Sequence, residues 1–139
     1  MLTLPFTGRG KIVYDPFRAG MKRRTDWWAV IDIDKDITRY YRWWLQNRYH
    51  LRLDAPAWDA HISVIRGEKP KPDLQHLWKK YHGRTVEFQY GVDLYKAPAE
   101  DGRHFWIIDC VCPEFVEIRK ELKLPTHWAP HITVGRERV

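Results

Sequence analysis

His61-Ile62-Ser63-Val64 and His131-Ile132-Thr133-Val134 share one design. Each alternates polar and apolar residues, the period of a half-buried strand whose successive side chains point to opposite faces. His61 and Ser63 therefore share one face, and Ile62 and Val64 share the other, toward the core. His131 and Thr133 repeat the arrangement. Each copy also carries an arginine five residues after its histidine, Arg66 and Arg136. An imidazole beside a hydroxyl, supplied twice, is the set that in-line chemistry at a phosphate requires: a base, an acid and two hydroxyl donors. One His-x-Ser/Thr is a weak pattern, but two with the same Ile and Val in the same strand context are specific. The plain alternative is a pair of half-buried strands whose histidines are merely hydrogen-bonded.

Working outward, 27–33 reads as a strand with Asp32 and Asp34 on the face opposite Ile31 and Ile33. Ile37, Tyr40, Tyr41, Trp44 and Leu45 then fall on one stripe of an amphipathic helix, with Asp34 or Asp36 as its N-cap. The first motif strand spans 58–66. Pro70 and Pro72 open a second helix with Leu74, Leu77, Trp78 and Tyr81 at helical spacing, ended by Gly83. Strands follow at 85–90 and 92–96, then a loop with Pro98 and Gly102, a strand at 105–112, and a third helix at 114–122 opened by Pro113. The second motif strand, 127–136, comes last. Each motif thus follows a strand–helix unit, which predicts a pseudo-repeat in an α+β fold with antiparallel sheet.

The paired motifs resemble the 2H phosphoesterase superfamily, named for two His-x-Ser/Thr motifs and including LigT-like proteins and RNA 2′,3′-cyclic phosphodiesterases. Ala129-Pro130-His131-Ile132-Thr133-Val134-Gly135-Arg136 is similar to the family's Pro-His-hydrophobic-Thr-hydrophobic-x-Arg. Ala60-His61-Ile62-Ser63-Val64 has Ser where Thr is commoner, which keeps the hydroxyl. Within the family the chain looks most like small phage proteins called Swiss-army-knife RNA-repair-like, and like phage anti-CBASS enzymes that degrade cyclic-oligonucleotide defence signals. The resemblance covers 27–136. It implies a two-lobed fold, with antiparallel sheets forming a central groove, one motif in each lobe and helices outside. The expected organisation is a basic N-terminal arm, 1–26, packed on a single bilobal domain, 27–139.

At 139 residues the chain has the length of one domain. Its net charge is +6, and +4 of this falls in 1–26, where Arg9, Lys11, Arg18, Lys22, Arg23 and Arg24 outnumber Asp15 and Asp26. Such a balance favours polyanionic ligands, and charge of this size is equally a common solubility feature. Eight Trp, seven Tyr and five Phe are many for the size; core packing and helix faces account for most of them, and one or two near the motifs are candidates to stack on bases. Cys110 and Cys112, two apart on one strand face, are poor disulfide partners and read as reduced core thiols. With no apolar run of membrane-spanning or signal length, the expected location is the cytoplasm, the host's if the chain is phage-encoded.

The chemistry these residues predict needs no metal and no cofactor. One imidazole takes a proton from water or a ribose hydroxyl and the other protonates the leaving oxygen; an unperturbed imidazole titrates near pH ~6.5, so both roles operate near neutrality. Ser63 and Thr133 hold the phosphate oxygens. Arg136 is a candidate phosphate contact and Tyr14 a candidate base stacker, while strict alternation turns Arg66 and Arg136 away from the histidines. The expected substrate is a nucleotide phosphodiester, foremost a cyclic oligonucleotide signal, with an RNA 2′,3′-cyclic end as the alternative. A non-catalytic nucleotide or RNA binder is the competing class. No obligate protein partner and no membrane association are expected.

Overall fold

The computed structural model describes residues 4–58, 60–99 and 102–138; the first three residues of the expected arm, Asp59 of the expected first motif strand, and 100, 101 and 139 lie outside them. In chain order the elements are β1 (Phe6–Tyr14), β2 (Trp28–Asp32), α1 (Lys35–Tyr49), β3 (Leu53–Asp54), β4 (His61–Arg66), a 3₁₀ helix (Pro72–Leu77), β5 (Thr85–Pro98), β6 (His104–Val111), α2 (Pro113–Glu121) and β7 (His131–Glu137). The strands form one antiparallel sheet in the order β3-β7-β6-β5-β1-β2-β4. That sheet curls, because β4 at one edge also touches β7, next to the other edge. A single curled sheet thus stands where two small sheets were expected.

The largest departure from the sequence reading is at the N-terminus. Residues 6–14, expected as part of an arm over the domain, form a strand near the middle of the sheet, bonded to β2 on one side and β5 on the other. The glycines that look like breakers are close-approach positions. A Cβ on Gly8 would lie 2.5 Å from the Phe88 ring, and one on Gly10 would lie 2.5 Å from Ile31 and 2.6 Å from the Asp32 carbonyl. Only a residue without a Cβ lets the neighbouring strand and its side chains approach this closely.

α1 runs as its periodicity predicts. Asp34 caps it by accepting from the Asp36 amide at 2.9 Å, and His50 ends it in the left-handed region. α2 follows Pro113, as expected. The predicted second helix is instead a 3₁₀ turn that stops at Leu77. Trp78 adopts an extended backbone and Lys79 a positive φ, yet Leu74, Leu77, Trp78 and Tyr81 all pack, partly buried, against the core. Trp78 packs edge-on against Tyr14 and Trp27, each at 5.0 Å, and donates to both Asp15 carboxylate oxygens at 3.2 Å. The two strands predicted at 85–96 are one, β5, whose pairing with β6 is irregular between Tyr90 and Leu94.

Both α-helices bury their apolar stripes on the same face of the sheet. Tyr41 and Leu45 of α1, Phe115 and Ile118 of α2, and Leu122 just after it join one core with Ile12, Ile31, Ile62, Val64, Ile108, Ile132 and Val134. Cys110 and Cys112 are free and buried in it, and burial pushes both thiols up, Cys112 to about 11.

The two halves of the sheet repeat one pairing scheme. On β2 and β4, Asp32 faces His61, Val30 faces Ser63 and Trp28 faces Arg66. On β6 and β7, Asp109 faces His131, Ile107 faces Thr133 and Phe105 faces Arg136. In each half the register slips by one residue within the motif strand, leaving Val64 and Val134 as the unpaired residues of a β-bulge. The carbonyl that each bulge frees receives a guanidinium from a helix of the opposite half. Arg119 of α2 donates to Val64 O at 2.8 Å, and Arg42 of α1 donates to Val134 O at 2.9 Å. Arg119 is 2 % exposed, chelates Glu68 at 2.8 and 2.7 Å, and donates to Pro125 O at 2.7 Å.

Removing Arg119 leaves two carbonyls and a carboxylate without their partner. Arg119→Met should therefore cost on the order of 3 kcal/mol in denaturant unfolding, and Arg42→Met, at a half-buried site that water reaches, clearly less. Glu68→Gln should cost about 2 kcal/mol at neutral pH. The hydrogen bond from Arg119 holds the Glu68 carboxyl below its ordinary value. Its stabilisation is thus complete above the unfolded carboxylate pKa of ~4.3 and disappears as pH falls through the lower folded value. The gap between wild type and Glu68→Gln should close over that acid range; a gap unchanged by pH would contradict the assignment.

Candidate active site

The alternation read from the motifs holds in three dimensions. Ile62, Val64, Ile132 and Val134 point into the core, so His61, Ser63, His131 and Thr133 line the opposite face, with His61 and Ser63 half-buried and His131 exposed. β4 and β7, the strands that carry the two motifs, touch across the opening of the curled sheet although they lie near opposite ends of the strand order.

The arginines depart from strict alternation. A bulge places two consecutive residues on one side, and here Val64 with Ile65, and Val134 with Gly135, are all buried. The following residue then returns to the motif face. Arg66 faces Trp28 in register, and its guanidinium lies 5.8 Å over the indole. Arg136 faces Phe105. The offset of five residues from each histidine, odd in a regular strand, is even once the bulge is counted.

Trp28 is the least exposed of the large side chains on this face, at 1 %. Its Nε1–H donates to Ser63 Oγ at 3.3 Å, and its ring meets His61 edge-to-face at 5.6 Å. Beside each histidine a carboxylate sits directly across the ladder, where facing Cβ atoms are about 5 Å apart. Asp32 is paired with Arg18, and Asp109 accepts from the Tyr95 hydroxyl. Burial, followed by that hydrogen bond, pushes the Tyr95 phenol up to about 12. Lys11 faces Asp32 from β1, and Arg9 lies two residues before it on the same exposed face. Some of the charge expected in an arm thus lines the motif face.

Tyr14 is elsewhere. It belongs to the core face, 3 % exposed, packed on Trp78, and burial pushes its phenol up to about 12. Its ring is a core ring and not a base platform. Of the other histidines, His82 accepts from the Tyr14 amide at 3.1 Å, His104 lies 3.7 Å from Glu137, and the His127 ring lies tilted against Trp128 at 4.5 Å. An apolar cleft of about 550 Å³, lined by Phe6, Ile37, Tyr40, Tyr41, Trp44 and Tyr90, lies between α1 and β5 and contains no motif residue.

The chain matches no protein-family model, no curated protein and no solved structure. What the site can do therefore rests on its own chemistry. Among the described residues, no three His, Cys, Asp or Glu side chains converge to hold a metal ion, and no helix is long and apolar enough to cross a membrane. The face offers two imidazoles, two hydroxyls and cations at Arg9, Lys11, Arg66 and Arg136, a set suited to proton transfer at an anionic centre.

Trp28 and Asp109 escaped the sequence reading, which puts Asp32 on the face opposite Ile31 but gives it no role at the site. Their signal is a second repeat: an aromatic residue three before an Ile-Asp pair, Trp28 before Ile31-Asp32 and Phe105 before Ile108-Asp109. The position of Tyr14 makes a direct prediction. Tyr14→Phe should leave binding of a phosphodiester ligand within about twofold, whereas Tyr14→Ala should cost ~3–5 kcal/mol of stability. Calorimetric titration and denaturant unfolding of the two variants read this out; loss of binding in a stably folded Tyr14→Phe would place the Tyr14 hydroxyl in the site.

Proposed function

We propose that the chain is a 2H-type phosphodiesterase, independent of metal, that hydrolyses a nucleotide phosphodiester, foremost a cyclic oligonucleotide signal. The observation that carries this reading is the repeated His, hydroxyl and Arg on one face of two motif strands that touch. In this reading the two halves of the curled sheet are the lobes of that fold, and the opening between β4 and β7 is its groove. One imidazole accepts the proton of the attacking water or ribose hydroxyl, and the other donates to the leaving oxygen. Ser63 and Thr133 donate to the non-bridging oxygens as charge builds there, and Arg66 and Arg136 balance that charge. Each histidine has a carboxylate directly across the ladder, Asp32 for His61 and Asp109 for His131.

Arg9 and Lys11 favour a substrate with more than one phosphate, since they extend the cationic face beyond the motifs onto β1. An RNA with a 2′,3′-cyclic end meets the same requirement and is the second reading. Incubation with cyclic di- and trinucleotides and with 2′,3′-cyclic-ended RNA, read by mass, separates the two. Binding without turnover of any of them would make the chain a binder.

His61→Ala and His131→Ala should each abolish turnover with the fold retained, while Ser63→Ala and Thr133→Ala should slow it ~10²–10³-fold. Near wild-type hydrolysis by either histidine variant would refute the assignment. The rate should follow a bell in pH, since one imidazole must be neutral and one protonated, with limbs that belong to the coupled pair.

A chelator should leave the rate unchanged. Activity lost to chelation and restored by one particular metal would overturn the metal-free mechanism.

A further inference from the structure

The two halves match in pairing but differ in how they hold their hydroxyl. In the first, the buried Trp28 indole donates to Ser63 Oγ at 3.3 Å. In the second, the equivalent position is Phe105, which has no N–H. The hydroxyls differ in the complementary sense. Threonine is branched at Cβ and strongly restricted at χ1, whereas serine has no such branch and must be held from outside.

We propose that Trp28 is a positioning residue that fixes the Ser63 hydroxyl as a phosphate donor and replaces, in the first motif, the rigidity that Cβ branching gives Thr133. This rests on the phosphodiesterase reading and deepens it. An indole N–H can only donate, so it occupies a lone pair of Ser63 Oγ and leaves the serine's own proton as the group to be directed elsewhere. A non-bridging phosphate oxygen only accepts, and a hydroxyl already turned outward meets it without reorganisation. The same ring fixes the neighbours of Ser63: it meets His61 edge-on at 5.6 Å and lies under the Arg66 guanidinium at 5.8 Å. At 1 % exposure it is held by packing on the protein side.

The test is a set of variants assayed on whichever substrate wild type hydrolyses. Trp28→Phe, and Trp28 replaced site-specifically by 3-benzothienylalanine, which keeps the bicyclic ring but lacks the N–H, should each lower kcat about fivefold to tenfold with KM little changed. Adding Ser63→Ala to the benzothienyl variant, which keeps the ring under Arg66 and against His61, should cost no more than Ser63→Ala alone, because the effect passes through the hydroxyl. Adding Ser63→Thr should restore kcat to within about threefold, since the branch takes over the task. Costs that simply add in the Ser63→Ala background, or a Ser63→Thr that restores nothing, would overturn the proposal and leave the phosphodiesterase reading standing. The benzothienyl variant retains ring volume and answers the question should Trp28→Phe not fold. Wild type that hydrolyses no phosphodiester in the panel would refute the reading itself, and the proposal with it.

Discussion

The structure hangs on two guanidinium groups, each placed on a backbone carbonyl that a bulge has released from the sheet. A bulge in a buried strand is costly unless the group it frees finds another partner. Here Arg119 takes Val64 O and Arg42 takes Val134 O. The bulges in turn set the site, because they return Arg66 and Arg136 to the face that carries the histidines and hydroxyls. Without the bonds from the helices, the regular ladder would be the better solution and the arginines would face the core side.

The exchange of helices between halves also explains how one curled sheet brings distant strands together. α1 follows β2 in the chain but packs on β7, and α2 follows β6 but packs on β4. Each helix therefore ties its own half to the other motif strand. Arg119 adds to this by holding the Glu68 segment after the first motif and the Pro125 segment before the second. The distance between the motifs is thus a property of helix packing as much as of sheet curl.

Local pattern made much of this legible. Strict alternation in the motifs gave their strands and faces, the five-residue apolar stripe gave α1, and Pro113 opened α2. What stayed hidden depends on partners far away in sequence. Gly8 and Gly10 break any period, and nothing nearby says that Phe88 and Ile31 occupy the space of their missing side chains. The slip at Val64 and Val134 is a pairing feature, so alternation turned Arg66 and Arg136 the wrong way. Arg119 reads as an ordinary charged helix position, and its burial follows only from Glu68, Val64 and Pro125 converging on it. Tyr14 lies in a segment whose composition suggested an arm, and its ring went to the core with its strand.

The exchange of helices has a consequence for the order of assembly during synthesis. The first motif strand ends at Arg66, but the side chain that receives its freed carbonyl is at position 119. An emerging chain therefore carries an incomplete first motif until α2 has also left the ribosome. β1 likewise waits for β5, its partner on one side. Neither half can mature alone, and a truncated chain ending before α2 would expose an unpaired edge and an unsatisfied bulge, the features by which quality-control machinery recognises an unfinished protein.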